Sequence, residues 1–508
     1  MRRGAGAALL LATAVLSHAA EPEEYRFDAA EFAKKPFEFG GYAEFKQEAL
    51  AMRPDSPLYG LNFPGEAPRQ NLDRSTGTLE LTGRWNAGAV VADFRTHSAY
   101  SRDQFGAASL NRIYEAGARW AIDDYWSLDA GKRTLRWGKG YAWNPVAFLE
   151  RPKDPNDPQL SREGYVVAGG SWVRSFEGPV AATSLSALVV PASEDVNSTY
   201  GKPDHANPAA KLYLLWQDTD IDLLWAGKGS RPGRYGADFS RNLGTNLEVH
   251  GEWARTSGLT RPLVQPDGAI GQQTLDATSW LLGLRYLTDD EVTWIVERYR
   301  NGAGYTDSQY ADFLDLIGSG PGATPGITQR IESLAQSPYA KANPGRDYAY
   351  LRVSAKDPFD WLYVTPALTA IVNLQDRSYS LTPEVAYTGF TDLELRAGGV
   401  ASRRTGHGIR RQAERAADRS LPALVLLAAA AACAALLDRR TGQRPIGAEH
   451  AAVSMLRLEQ GVAMLALVEP LARVRRHGLC LDVTARRASQ RRFQDDGGHF
   501  FSSTSVDG

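Results

Sequence analysis

Along residues 38 to 400 apolar and polar side chains alternate in runs of strand length. Successive side chains of an extended chain point to opposite faces, so each such run has one apolar and one polar face. In Phe39 to Lys46, the side chains of Phe39, Ala43 and Phe45 oppose Tyr42, Glu44 and Lys46. In Thr78 to Trp85, Leu79, Leu81 and Trp85 oppose Glu80, Thr82 and Arg84. Ile113 to Ile122 sets Tyr114, Ala116, Ala118, Trp120 and Ile122 against Glu115, Gly117 and Arg119. Seventeen segments of this kind can be laid out, ending with Asp392 to Gly399. The fifth, Tyr125 to Trp137, places Leu128 and Ala130 opposite Ser127, Asp129 and Arg133.

The connections sort by length. Short ones carry turn residues, as in Trp85 to Gly88, Asp123-Asp124, Glu177-Gly178-Pro179, Asp218-Thr219 and Leu243 to Thr245. Between them lie longer ones at 49–77, 98–111, 138–164, 191–210, 256–278 and 301–347, with two brief exceptions near Gly229 to Gly233 and Gln375 to Arg377. A soluble sandwich gives the same residue alternation but has no reason to sort its loops. A transmembrane barrel does, because its periplasmic rim is tight and its outer rim is elaborated. Aromatic residues gather beside the short turns: Trp85, Trp120, Tyr125, Trp126, Trp253, Trp294, Phe359, Trp361 and Tyr387. Rings in that position read as an interfacial girdle. The expected fold is therefore all-β, an antiparallel transmembrane β-barrel of 16 to 18 strands in outer-membrane lipid.

The ends of the chain differ from this body. Residues 1–20 have a basic start, an apolar run and a small-residue cleavage signal, Ser17-His18-Ala19, which predicts a secretory signal peptide. Residues 21–37 then form a periplasmic N-terminal segment and 38–400 the barrel. Beyond Val400 there is no Lys, Tyr or Trp, and arginines come in pairs. Seventeen strands leave an even-numbered barrel one short, so a gap is expected between first and last strands. The tail 401–508 is expected to be helical or disordered and outside the barrel, the product of a frameshift that replaced the closing strand. The other reading is a native extension with Leu421 to Leu437 as an apolar helix.

The charge balance, 57 basic against 59 acidic residues, gives no electrostatic reason for a nucleic-acid partner. Enzyme motifs such as G-x-S-x-G and H-E-x-x-H do not occur. Glu248, His250 and Glu252 share one face of a strand and form an acid–base or metal candidate, but such a face is more often the wet wall of a pore. Asp154, Asn156 and Asp157 are oxygen donors of the kind that hold calcium, though the intervening prolines suit a rigid loop better. The expectation is no enzyme, no metal and no cofactor.

Inward-facing charge is the better functional clue, because rows of opposite sign across a lumen orient polar solutes while pairs along it rigidify the wall. The pore-lining candidates on strands are Glu115, Arg119, Asp129 and Arg133, then Glu248, Glu252, Arg285, Glu297, Arg352 and Glu384. At the end of the fifth strand they are Arg136, Trp137, Lys139, Tyr141 and Trp143. Aromatic faces beside cations suit sugars and acidic sugars, and they equally suit an interface anchor with a solvated basic rim.

The run Gly131-Lys-Arg-Thr-Leu-Arg-Trp-Gly138, followed by a long loop, resembles the Gly-Arg-Gln…Trp-Gly strand and inward-folded third loop of Gram-negative outer-membrane porins and substrate-specific channels, including the alginate-export-like class. Lys132-Arg133 stands where Arg-Gln is commoner. The resemblance implies a channel for diffusion or export of a small polar or carbohydrate-like solute, inserted by the barrel-assembly machinery. The alternative is a non-conducting barrel, plugged by its loops, that anchors a polysaccharide or protein partner. The pattern sets no oligomeric state.

Overall fold

A computed structural model describes residues 36–403, without 64, 65, 159, 161, 319–330 and 332, and the backbone of 479–486. All seventeen predicted strands are present. They are β1 (Phe37–Ala51), β2 (Asn71–Ala87), β3 (Val90–Asp103), β4 (Gly106–Ala121), β5 (Trp126–Arg133), β6 (Tyr165–Ser175), β7 (Val180–Ala192), β8 (His205–Trp216) and β9 (Thr219–Ala226), followed by β10 (Arg234–Leu243), β11 (Leu247–Val264), β12 (Ile270–Leu287), β13 (Val292–Arg300), β14 (Asp347–Ala355), β15 (Val364–Asn373), β16 (Tyr379–Phe390) and β17 (Leu393–Gly399). Each pairs antiparallel with its sequence neighbours in one continuous sheet.

The expected gap does not form. A short β18 (Ala401–Arg403) continues the line of β17 along β16. The backbone of β19 (Leu479–Arg486) then lies between β17 and β1, Leu395 opposite Val483 on one side and Phe45 opposite Val483 on the other. Nineteen strands, two of them in one line, thus fill an eighteen-place ring. Eleven residues of the tail, 401–403 and 479–486, belong to the barrel; the expected leader, the segment to residue 35, the apolar run 421–437 and the rest of the tail lie outside the described residues. No described helix is long and apolar enough to cross a membrane.

Closure gives each of β1 to β17 a partner on both sides and leaves the ring no free edge strand, which hydrocarbon requires. The outer face is apolar and exposed: Leu79, Leu128, Leu185, Leu223, Leu282 and Val296 all keep 40% or more of their surface. So do the turn-side rings Trp85, Trp120, Tyr125, Trp126, Phe359 and Trp361, and also Trp253, which lies not beside the short turn but within β11, opposite Trp280. A sandwich would bury these groups as core, so their exposure decides between the two readings of the alternation.

Two predicted loops are strand. Residues 98–111 continue β3 into β4 around Gln104 and Phe105, and 256–278 continue β11 into β12 around Gln265 to Ala269. These extensions have few apolar positions because ladder pairing in water needs no apolar face. A bulge between Arg95 and Thr96 of β3 leaves Tyr114 unpaired. Tyr114 therefore turns inward, buried against His97 with ring centroids 4.4 Å apart, and not outward with Trp120 as the simple alternation has it. Beyond the strand ends, α1 (Pro57–Asn62) and α2 (Asp307–Gly318) pack with Val264, Tyr305, Ile331 and Tyr339 into a small apolar cluster that joins the long connections at 49–77, 256–278 and 301–347.

Candidate functional site

The fifth strand ends four residues earlier than its sequence pattern suggests. The N–H of Thr134 donates to Glu115 Oε1 at 2.8 Å, so the chain leaves the ladder after Arg133 and turns inward. Residues 134–164 then run along the inside of the barrel. Their apolar side chains Trp137, Val146, Phe148 and Leu149 are buried against Val167 of β6, Val190 of β7, Leu224 of β9 and Ala254 of β11. Ala142 and Trp143 are buried further round, against Leu281 of β12, Ile295 of β13, Tyr350 of β14 and Ile371 of β15. Each large apolar side chain so buried contributes roughly 1.5–3 kcal/mol. Asn156 reaches β16, where its Oδ1 accepts from Thr382 Oγ1 at 3.3 Å.

Two wall carboxylates fasten the backbone of this loop. Glu252 Oε1 accepts the N–H groups of Lys139 and Gly140, both at 2.7 Å, and Asn144 Nδ2 at 3.0 Å. Its Oε2 accepts Val146 N–H at 3.2 Å. Glu297 accepts Tyr141 N–H at 2.5 Å and Ala142 N–H at 2.9 Å. Successive N–H groups converging on an anion form a backbone nest, and charge-assisted bonds of this kind are the stronger ones. Gly138 has φ +96°, and a Cβ there would lie 2.7 Å from Glu252 Oε1. Gly140 is as tightly placed, since its Cβ would meet the Trp143 carbonyl at 2.1 Å.

His250 is fully buried beside this nest. Its Nε2 lies 3.0 Å from Glu297 Oε1 and its Nδ1 3.5 Å from Glu248 Oε1, while Tyr141 Oη donates to Glu248 at 3.0 Å. The Glu248–His250–Glu252 face thus extends under the loop and serves to hold it. Among the described residues, no group of three or more His, Cys, Asp or Glu is placed to hold a metal ion.

Ionic contacts complete the seat. Glu150 accepts Trp137 N–H and pairs with Arg162 at 2.9 Å; burial raises its carboxyl above the ordinary range, against the opposing pull of Arg162 and that N–H. Glu163 meets Lys132 at 2.5 Å, Arg112 at 2.8 Å and Arg151 at 3.0 Å. Burial lowers the Lys153 ammonium, whose Nζ donates to the Gly140 carbonyl at 2.6 Å.

The candidates read from sequence separate into two groups. Trp137, Trp143, Glu252 and Glu297 are buried between loop and wall, so they hold the loop and do not line a lumen, and no sugar ring can stack on either indole as placed. Lys139 is spent on Asp222 at 3.4 Å, and of the cations at the strand end only Arg136 is exposed. Arg119, Asp129, Arg133, Glu115, Arg352 and Glu384 are charges along the wall, in pairs: Arg133 with Asp93 and Asp129 at 2.6 Å, Arg119 with Asp129 at 3.1 Å, Arg95 with Glu115 at 3.0 Å, Arg352 with Glu384 at 3.5 Å. Glu248, Arg285 and Tyr141 meet below the loop. Asp238 and Glu150 were missed; for Asp238 the alternation of β10 was signal enough.

No family model and no curated protein matches the sequence. Among solved structures, the chain is similar to Pseudomonas aeruginosa OccK5 (OpdH), at TM-score 0.41 and 10% identity over 72% of this chain and 93% of that one. P. aeruginosa OprD gives TM-score 0.41 and 12% identity, over 73% and 90%. Salmonella typhi OmpF gives 0.39 and 11%, over 67% and 91%. The fold itself rests on the strand pairing: this chain forms a porin-like antiparallel β-barrel.

Proposed function

We propose that this barrel is an outer-membrane channel for diffusion or export of a small polar or carbohydrate-like solute, with residues 134–164 setting its width. The reading includes export behind a leader at 1–20, insertion by the barrel-assembly machinery, and no chemistry of its own. The observation that carries it is the loop inside a closed ring, fastened to the far wall by Glu252 and Glu297. A loop held this firmly narrows a lumen without depending on a bound partner. Because the wall charges neutralise each other in pairs, the lumen suits polar solutes more than ions of one sign.

The test is reconstitution of the full chain in planar bilayers. Stable ion-conducting steps, with permeation of small sugars in liposome swelling, are expected. A folded barrel that is silent in both assays overturns the channel in favour of the anchoring barrel. That second reading draws on the reach of the loop from β5 to Thr382 on β16, which is what a plug would also show.

A further inference from the structure

The row of inward side chains on β8 to β10 contains one acid that nothing in the loop seat uses. Asp222 of β9 and Asp238 of β10 are directly opposite in register, and both are buried, with 1% and 2% of their surface exposed. Asp222 is approached by two ammonium groups, Lys139 of the loop at 3.4 Å and Lys211 of β8 at 3.5 Å. Neither carboxylate oxygen of Asp238 meets a donor group among the described residues; the group that faces it across the ladder is the Asp222 carboxylate. Leaving an ionised carboxylate buried and unpartnered costs several kcal/mol, so it must take up either a proton or a cation.

The Lys139 side chain shows which cation fits. Its Nζ lies 5.9 Å from the Tyr213 ring centroid as well as beside Asp222. Burial works against the charge of Lys139, yet Asp222, Asp238 and Asp220 outweigh it and raise its pKa. Carboxylates on one side and an aromatic face on the other are what a primary ammonium needs. With a fifth of its side chain exposed, Lys139 also opens the site toward the lumen. We propose that Asp222, Asp238 and Tyr213 form an ammonium-binding site in the channel wall, filled in this structure by Lys139 and available to solutes that carry a primary amine when Lys139 is displaced. This deepens the channel reading, on which it rests, by naming a class of solute that would dwell at the loop. The groups facing the site are Lys139 from the loop, Lys211 and Tyr213 from β8, Asp220 and Asp222 from β9, and Asp238 from β10, with Glu252 of β11 already spent on loop N–H groups.

The experiment uses the full chain with Lys139→Ala, which empties the site, and n-propylammonium as the probe. Calorimetry on detergent-solubilised protein reads binding whether or not the barrel conducts; bilayer currents read block. Lys139→Ala is expected to bind propylammonium at least about tenfold more tightly than the wild type, the value of one charge-assisted hydrogen bond. Adding Asp238→Asn should cancel that gain. Equal binding by wild type and Lys139→Ala, or a gain that survives Asp238→Asn, overturns the site and leaves Asp238 as a protonated partner of Asp222. Binding without any current in wild type would sustain the site while overturning the channel. Near-native circular dichroism of each variant separates loss of the site from loss of fold.

Discussion

Glu252 Oε1 on β11 accepts the N–H of Gly140, 2.7 Å away and 112 residues earlier in the chain. The same carboxylate also holds Lys139, Asn144 and Val146, so one side chain fixes a whole turn of the loop inside the barrel. Glu252→Ala leaves those donors unmet, at about 1–3 kcal/mol for each one that water does not reach. The loop should come off the wall. Limited proteolysis of the variant is expected to cut within 134–164, and its conductance to become larger and noisier; a protease-resistant loop with unaltered current would deny Glu252 this role.

Gly138 and Gly140 should tolerate no side chain. Gly138→Ala strains a left-handed backbone and pushes on Glu252, and Gly140→Ala collides with the Trp143 carbonyl. Strain of this sort costs of order 1–3 kcal/mol. Each variant is expected to form the barrel, as judged by its heat-modifiable migration on gels, but to show the proteolytic sensitivity of Glu252→Ala. Wild-type protection in both would show that the loop can be seated without this close approach.

Removing residues 141–160 should widen the lumen and raise single-channel conductance. The double variant Arg133→Ala, Arg136→Ala should shift selectivity toward cations, because Asp93 and Asp129 each lose their 2.6 Å partner. Reversal potentials in a salt gradient measure the shift. No change in conductance or selectivity would place the loop outside the conduction path.

The seat of the loop should strengthen as pH rises toward the ordinary lysine value of 10.5. Burial lowers Lys153, so between its folded pKa and 10.5 the unseated loop binds more protons than the seated one. With more protons on the open side, raising pH favours closure. Proteolysis rates across alkaline pH should fall in the wild type. In Lys153→Met the fall should vanish; a variant that retains it would assign the pH dependence elsewhere.

Truncation after Arg403 tests the closing strand. Loss of β19 leaves the facing edges of β1 and β17 unpaired, which hydrocarbon does not tolerate. The truncated chain is expected to lose heat-modifiable migration. Unchanged migration would mean that Leu479–Arg486 is dispensable. Reading the gene around codons 396 to 405 in the other frames gives an independent check: an alternating strand ending in an aromatic residue there would identify a different natural closure.

The strands were legible because the alternation of apolar and polar residues is local, and a membrane demands it of every strand. Loop sorting and exposed rings such as Trp85 and Trp126 follow from the same demand. The sequence by itself therefore determined an antiparallel barrel and singled out the stretch after Arg133. It did not determine the inward turn of Tyr114, because one unpaired residue shifts the face of its neighbours without altering composition. Nor did it separate Trp137 and Glu252, which hold the loop, from Arg119 and Glu384 on the wall. Those roles depend on which charges meet across strands and on what the loop covers. Only the closed ring, by bringing β11 and β13 against residues 139–146, decided them.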